Sequence, residues 1–210
     1  KYIMDSIKYF TGNIEEDHDI MLDILRSVEF KSGTARRNMF KNLKANPGGS
    51  MLYGLTWKGY LSKTKSKTPS IYKGLYKTKV MDDYPDLDII FKEYRDIYFP
   101  YFEYKSVQMN HNFHCPKHKD STNIGESILC AFGYYKGGDT VVNFDGAIKK
   151  YDCRDTYLKF NGSKYEHWVE KWSDGDRYTL VFFDNYSNKK LTLRSTQSLP
   201  LLSGVDAQTQ

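Results

Sequence analysis

The second half of the chain is divided into short runs by glycine-containing turns. The runs are rich in β-branched and aromatic residues, which favour strands over a helical bundle. Several short strands joined by glycine turns are typical of an antiparallel sandwich or jelly roll. The turns are Gly137-Gly138, Asp145-Gly146, Asn161-Gly162 and Asp174-Gly175, and the predicted strands are 104–113, 126–134, 140–143, 147–157, 165–172 and 178–183.

Two helices are predicted before these strands. In the first, Asn13 is the N-cap, Glu16 is its capping-box partner, and apolar residues then recur at helical spacing. The second is predicted to begin at Asp83, to carry Pro85 in its first turn and to stop at Pro100. Each helix has one apolar stripe, so both are expected to pack on the outside of the strands.

The length of 210 residues suits a single domain. We expect a mostly β fold with flanking helices, in the α+β class. Its parts would be a helical and basic segment over residues 1–100, a jelly-roll core over 101–194 and a tail over 195–210.

The positive charge of the chain is concentrated in one segment, residues 31–80, which we call the basic segment. It contains no Asp or Glu, and aromatic residues are interleaved with its cations. Clustered cations favour phosphates, and unpaired bases stack on Tyr or Trp, so the pattern predicts nucleic acid as a partner. We expect this partner to be DNA more than RNA. The alternative is a solvated loop that keeps the protein soluble. The cations are Lys31, Arg36, Arg37, Lys41, Lys44, Lys58, Lys63, Lys65, Lys67, Lys73, Lys77 and Lys79, and the aromatic residues are Tyr53, Trp57, Tyr60, Tyr72 and Tyr76.

The cysteine content and the hydropathy pattern bear on the compartment. Three scattered cysteines are too few for a disulfide framework, and no apolar run is long enough for a membrane helix. We therefore expect an intracellular protein of the cytoplasm or nucleus that does not act on membranes. The oligomeric state is left open.

Three residues of the second half form a candidate metal site. On extended chain His118 and Asp120 point to the same side, and His167 can close a three-ligand face around one metal. Two histidines and a carboxylate leave coordination positions open, as non-haem Fe(II) oxygenases require. The alternative is a zinc cluster around Cys115 and its neighbouring histidines His111, His114 and His118, which lacks a second Cys/His pair.

A candidate anion site follows ten residues after His167. On a strand, Arg177 and Thr179 point to the same face, where a guanidinium and a hydroxyl can hold one carboxylate. An inward-facing arginine among apolar neighbours is costly without an anionic partner. The alternative partners are the nearby carboxylates of Asp174 and Asp176.

These motifs together resemble the Fe(II)- and 2-oxoglutarate-dependent dioxygenases in order and spacing. The resemblance covers residues 104–184 and implies a double-stranded β-helix, a cupin-like jelly roll, with the site between its sheets. It implies that His118, Asp120 and His167 hold Fe(II), and that Arg177 and Thr179 bind the distal carboxylate of 2-oxoglutarate. The reaction would oxidise a C–H bond with O2, with ascorbate as a reductant. Prolyl 4-hydroxylases usually carry lysine where Arg177 stands, which argues against that branch.

Within the superfamily, the segment that follows Asp120 is similar to the TET/JBP-like branch, which oxidises the methyl group of 5-methylcytosine or thymine in nucleic acid. The resemblance implies that Asn123 touches the flipped base, and an Asx turn is the alternative for this residue. Arg36 and Arg37 are further candidates for substrate binding, or for closing over 2-oxoglutarate. Two other functions stay open: a hydroxylase of a protein side chain or small metabolite, and an inactive nucleic-acid-binding module.

Overall fold

A computed structural model describes residues 8–30, 48–58, 74–120 and 123–185. Arg36 and Arg37, most of the basic segment and the predicted tail lie outside the described residues. No helix in the described part of the chain is long and apolar enough to cross a membrane.

The described elements are three helices and eleven strands. The helices are α1 (Ile14–Arg26), α2 (Lys79–Asp83) and α3 (Leu87–Tyr98). The strands are β1 (Gly49–Lys58), β2 (Gly74–Lys77), β3 (Ser106–His111), β4 (Ile124–Phe132), β5 (Lys136–Gly137), β6 (Thr140–Phe144), β7 (Ala147–Tyr151), β8 (Leu158–Phe160), β9 (Glu166–Val169), β10 (Trp172–Ser173) and β11 (Tyr178–Asp184).

The strands form a large and a small antiparallel sheet that face each other. The large sheet has the order β2-β1-β3-β11-β4-β8 and the small one has the order β7-β6-β9, with β10 and β5 as a separate pair. Residues 115–118 extend the small sheet beside β9, because the backbones of His118 and His167 exchange hydrogen bonds of 3.0 and 2.9 Å and Val169 N–H donates to the Cys115 carbonyl at 3.1 Å.

The path of the chain between the sheets defines the fold. From β3 the chain crosses to residues 115–118 in the small sheet, returns to β4, crosses to β6 and β7, returns to β8, crosses to β9 and returns to β11. This alternation winds the two sheets into a double-stranded β-helix, so the predicted jelly-roll fold is confirmed.

The alternation of side chains along β11 separates two cores. Leu180 and Phe182 are fully buried against the helices, where Phe182 meets Phe91 of α3 edge to face at 5.9 Å. Burying each of these side chains stabilises the fold by about 1.5–3 kcal/mol. Thr179 and Val181 point the other way, and Val181 packs against Val142 and other residues between the sheets. The strand period therefore directs the odd-numbered residues of β11 into the space between the two sheets.

Helix α1 is capped as predicted, but its capping box is incomplete. The Asn13 side chain accepts hydrogen bonds from the backbone N–H groups of Glu15 and Glu16, at 3.0 and 3.4 Å. The reciprocal bond is made by Thr11, whose hydroxyl accepts from Asn13 N–H at 3.0 Å. The buried Asp17 then accepts from the Tyr98 hydroxyl at 2.5 Å, which ties α1 to α3.

The second predicted helix begins later than expected. Its predicted start at Asp83 is the last residue of α2, and α3 begins at Leu87. Tyr84 precedes Pro85, and a residue before proline is disfavoured in helical conformation. Tyr84 accordingly has φ −137° and ψ 67°, which ends α2 and separates it from α3.

The basic segment contains two strands, β1 and β2, that the sequence did not reveal. β1 pairs along β3 and places Tyr53 in the core, 3% exposed and edge to face with Phe91 at 5.4 Å. The prediction that Tyr53 offers a ring to nucleic-acid bases is therefore wrong. Tyr60 and Tyr72 lie outside the described residues.

Candidate active site

The fold brings the three predicted metal ligands together. The backbone pairing of residues 115–118 with β9 places His118 beside His167, and Asp120 N–H donates to the Gly162 carbonyl at 2.9 Å. The Asp120 carboxylate lies 3.4 Å from Nε2 of His118 and 3.8 Å from Nε2 of His167. One ligand atom from each residue lies within 4.8 Å of the other two. Three donors at this separation can face a single ion.

Backbone carbonyls orient both imidazoles so that each Nε2 could act as a metal ligand. Nδ1 of His118 lies 2.8 Å from the Pro116 oxygen, and Nδ1 of His167 lies 3.0 Å from the Tyr165 oxygen. A carbonyl only accepts, so each Nδ1 carries its proton and donates. In the neutral ring Nε2 is then the lone-pair nitrogen, which is how carbonyl partners commonly orient metal-ligating histidines. The two histidines and the carboxylate thus fit a divalent iron with open positions.

The electrostatics of this face favour positive charge. Burial alone would lower the pKa of His118, but its contacts with the Asp120 carboxylate, the Cys115 sulfur and the Pro116 carbonyl raise that pKa to about 10. The carboxylate therefore stabilises a cation beside it, and either a proton or a divalent metal can supply that charge.

The alternative zinc cluster is not assembled. Cys115 lies beside His118, with its sulfur 3.6 Å from Nδ1. His111 instead stacks on Tyr178 at 4.4 Å, and His114 stacks on Trp172 at 5.8 Å. Within the described ranges, the predicted iron ligands form the one group of at least three His, Cys, Asp or Glu side chains that could hold a metal ion.

Asn123 lies next to the carboxylate of Asp120, a candidate metal ligand. Its amide nitrogen is 2.9 Å from Asp120 Oδ2 and 3.4 Å from the Ser127 hydroxyl. Asn123 also lines the cavity that is bordered by His118, Asp120 and His167. The shorter bond holds the Asp120 carboxylate in place, a role that the sequence did not indicate. Contact between Asn123 and a substrate base stays a prediction.

Because Gly162 has no side chain, the carboxylate of Asp120 has room beside it. A Cβ atom at residue 162 would lie 2.5 Å from Asp120 Oδ2 and 3.3 Å from His167 Cε1. Non-bonded carbon and oxygen atoms cannot approach so closely, so the carboxylate would have to move.

The Gly162→Ala variant is therefore expected to bind Fe(II) roughly 10- to 100-fold more weakly, the usual cost of disturbing groups that orient metal ligands. Anaerobic calorimetric titration with Fe(II) measures this affinity, and a thermal melt without metal is the control for folding. A folded variant with unchanged Fe(II) affinity would show that Asp120 is not held against Gly162.

Arg177 is a buried cation that lines the same cavity as the three candidate metal ligands. Its side chain is 3% exposed, Nε donates to the Gly138 carbonyl at 3.0 Å, and a terminal nitrogen lies 3.4 Å from the Thr140 hydroxyl. Its guanidinium carbon also lies 5.8 Å from the centre of the Tyr135 ring and 5.7 Å from that of Trp172. Oxygen acceptors and aromatic faces hold the group in place without neutralising its charge.

The alternative salt bridge of Arg177 does not form. Asp174 pairs with Lys136 at 3.1 Å, and Asp176 accepts a hydrogen bond from Asn112 at 2.5 Å. Among the described residues, no carboxylate forms an ion pair with Arg177. A buried guanidinium in this state is expected to bind an anionic ligand.

Thr179 completes the anion pocket. It is 4% exposed, it lies two residues after Arg177 on β11, and its hydroxyl accepts a hydrogen bond from the Asn110 amide at 3.0 Å. Arg177 and Thr179 line one cavity together with His118, Asp120 and His167. A single small molecule can therefore engage the anion pocket and the metal face together.

Sequence reasoning missed several residues of this cavity. Gln108 and Asn110 point into it from β3, where polar residues at every second position alternate with the buried Val107 and Met109. That alternation could have been used to predict Gln108 and Asn110 as cavity residues. Thr140 had no such sequence signal. It lines the cavity because β6 of the small sheet lies opposite β11 of the large sheet.

No protein-family model matches the sequence, and no curated protein matches it. Solved structures to which the chain is similar include NgTET1 in complex with 5mC DNA, at 15% identity over 87% of this chain and 75% of that chain, with a TM-score of 0.41. A 2OG-Fe(II) oxygenase family oxidoreductase from Burkholderia pseudomallei is similar at 15% identity over 78% and 76%, with a TM-score of 0.48. A Pseudomonas putida prolyl-4-hydroxylase is similar at 9% identity over 86% and 90%, with a TM-score of 0.44. At these identities and TM-scores, the chemistry of this chain has to be inferred from its own residues.

Proposed function

We propose that this chain is an Fe(II)- and 2-oxoglutarate-dependent dioxygenase that oxidises a C–H bond with O2. The observation that carries the proposal is the composition of one cavity, which contains a three-ligand face and a buried arginine without a carboxylate partner among the described residues. A dicarboxylic 2-oxo acid matches both features, since one end can chelate a metal and the other can neutralise a guanidinium.

Each site residue has a role in this proposal. His118, Asp120 and His167 hold the iron, and the carbonyls of Pro116 and Tyr165 keep the two imidazoles in the ligating tautomer. Bound iron would supply the O2 chemistry that couples decarboxylation of 2-oxoglutarate to oxidation of the substrate.

The other end of the co-substrate is held by Arg177 and Thr179, which bind its distal carboxylate. The cavity walls around them include the apolar side chains of Phe113, Phe160 and Val181, which keep water from the reacting groups.

The substrate that we propose is the methyl group of a pyrimidine base, 5-methylcytosine or thymine, in nucleic acid, with DNA favoured over RNA. The support is the basic segment, which places twelve cations and no acid in residues 31–80. A base inside a duplex cannot reach a buried metal, so the base must be flipped or the strand single. Arg36 and Arg37 are proposed to contact the backbone, and Asn123, beside Asp120, is proposed to contact the flipped base.

An anaerobic titration tests the iron and 2-oxoglutarate sites. Addition of Fe(II) and then 2-oxoglutarate is expected to produce a visible metal-to-ligand charge-transfer band, because the 2-oxo acid chelates the metal. Absence of the band would contradict the proposed chemistry and favour a binding module without catalysis.

A substrate panel then tests the proposed target. Methylated single- and double-stranded oligonucleotides and a peptide library are offered in parallel with 2-oxoglutarate, Fe(II) and O2, and products are identified by mass spectrometry. A mass increase of one oxygen on the oligonucleotides supports base oxidation. Oxygen transfer to peptides alone would replace the nucleic-acid substrate with a protein side chain.

A further inference from the structure

We infer that Gln108, Ser50 and Asn110 form a one-directional chain of hydrogen bonds that makes Thr179 a donor into the cavity. These three residues position Thr179 to select a ligand whose end accepts hydrogen bonds, such as a carboxylate. The inference rests on the proposed function and adds to it a set of positioning residues for the 2-oxoglutarate pocket.

The direction of the chain is set by a backbone carbonyl. The Gln108 side-chain nitrogen lies 2.7 Å from the Met51 carbonyl oxygen and 3.0 Å from the Ser50 hydroxyl oxygen. A carbonyl oxygen only accepts, so the atom of Gln108 that faces it must be the nitrogen. That nitrogen has no lone pair to offer, and its second hydrogen is therefore donated to Ser50.

Ser50 passes the direction on to Asn110. Ser50 is 5% exposed, and its hydroxyl oxygen lies 2.7 Å from Asn110 Oδ1, a separation typical of O–H···O bonds. The hydroxyl accepts from Gln108 and has one proton, which it donates to Asn110. The amide oxygen of Asn110 thus faces Ser50, and its amide nitrogen faces Thr179.

Thr179 is the end of the chain. Its hydroxyl oxygen accepts from the Asn110 amide nitrogen at 3.0 Å, so its own proton is left for an acceptor. The backbone register supports this arrangement, because Asn110 is the partner of Ser50 on β1 and of Thr179 on β11. The three side chains therefore lie in one row across three neighbouring strands.

The chemical consequence is selectivity for acceptor groups. The proton of Thr179 and the guanidinium of Arg177, which is two residues earlier in the chain and lines the same cavity, both donate, so a carboxylate satisfies both. A ligand that ends in an ammonium group or another donor would leave both protein groups unpaired, which is costly in a buried pocket.

The Ser50→Ala variant tests the chain. Removal of the hydroxyl frees Asn110 to turn its oxygen towards Thr179, and the Thr179 proton is then shared with Asn110. The dissociation constant for 2-oxoglutarate, measured anaerobically by calorimetry on the Mn(II)-loaded protein, is expected to rise about 3- to 10-fold, as for loss of one hydrogen bond. The Mn(II) affinity itself is expected to stay unchanged.

Ser106→Ala is the matched control. Ser106 is buried like Ser50, lies on the same pair of strands and donates to the Leu55 carbonyl, but it is at the opposite end of β3 from Asn110. This variant is expected to bind 2-oxoglutarate like the wild-type protein, which separates a positioning role from a general effect on the sheet.

A double variant separates action through Thr179 from independent effects. Thr179→Val alone is expected to weaken 2-oxoglutarate binding more than Ser50→Ala, and adding Ser50→Ala to it is expected to change nothing further. Additive effects would overturn the inference, as would Ser50→Ala binding as tightly as Ser106→Ala. If Ser50→Ala does not fold, Gln108→Met removes the first donor and is expected to give the same non-additive result.

The proposed function fails in a different way. A wild-type protein that does not bind 2-oxoglutarate in the presence of Mn(II) contradicts both the proposed co-substrate and the role of the chain. Wild-type binding with an unaffected Ser50→Ala variant contradicts the chain alone.

Discussion

The Asp120→Ala variant is expected to form no succinate from 2-oxoglutarate in the presence of Fe(II) and O2. Asp120 places one carboxylate oxygen 3.4 Å from the His118 nitrogen and the other 3.8 Å from the His167 nitrogen, so it supplies the negative charge of the site. Without Asp120 the two imidazoles lack the anionic carboxylate that completes the three-ligand face for Fe(II). The loss of Fe(II) affinity should exceed the roughly 10- to 100-fold cost of disturbing a group that only orients a metal ligand.

Succinate is measured by mass spectrometry after incubation with 2-oxoglutarate, and Fe(II) affinity is measured by anaerobic calorimetry on the same preparations. Asp23→Ala is the control, because Asp23 is an exposed aspartate of α1 that pairs with Arg26 at 3.0 Å. It should leave both measurements unchanged. Succinate formation that persists in the Asp120→Ala protein would rule out Asp120 as a metal ligand.

The second large effect is expected from Arg177→Met, which should nearly abolish 2-oxoglutarate binding. Loss of a buried, hydrogen-bonded charge partner typically costs about 2–5 kcal/mol, or roughly 30- to 5,000-fold in affinity. Methionine keeps the contacts with Tyr135 and Trp172 while it removes the charge. Lysine would not restore binding, since it lacks the planar fork of donors.

Arg154→Met is the matched control for this experiment. The guanidinium carbon of Arg154 also lies near Tyr135, 4.6 Å from the ring centre, but its charge is already paired with Asp152 at 2.5 Å. Its loss should leave the dissociation constant for 2-oxoglutarate unchanged and lower the free energy of unfolding by about 1 kcal/mol or less, as for a partly exposed ion pair.

The stability of Arg177→Met should behave differently. Removal of a buried charge without a carboxylate partner is expected to leave the ligand-free protein as stable as the wild type or more stable, and denaturant unfolding measures this. A protein that unfolds far more easily and still binds 2-oxoglutarate would show that Arg177 is structural. Comparison of Arg177→Met with Arg154→Met thus distinguishes an arginine that binds the ligand from one that stabilises the fold.

Arg177 and Thr179 could be predicted from sequence because their relative position depends on local periodicity. The two-residue strand period places Arg177 and Thr179 on one face, and proline restricts the residue before it wherever it occurs. The proline effect was nevertheless overlooked at Tyr84, where it divides one predicted helix into α2 and α3. Attention to the residue before Pro85 would have corrected that boundary.

Contacts across strands could not be predicted in the same way. β1 was read as part of a basic surface because cations lie on both sides of it in the sequence. Its pairing with β3 buries Tyr53 and brings Ser50 to Asn110. Neither contact has a sequence signal, because the paired residues are about 60 positions apart in the chain.

The sequence by itself determined the types and spacing of the reactive groups in this protein: two histidines, a carboxylate, and an arginine two residues before a threonine. Only the tertiary structure decided which groups are paired. It placed Asp174 and Asp176 with other partners, stacked His111 and His114 on aromatic rings, and left Arg177 buried without an ion-paired carboxylate among the described residues. The physical reason is that strand period sets the face on which a side chain lies, whereas register and sheet order set what it meets there.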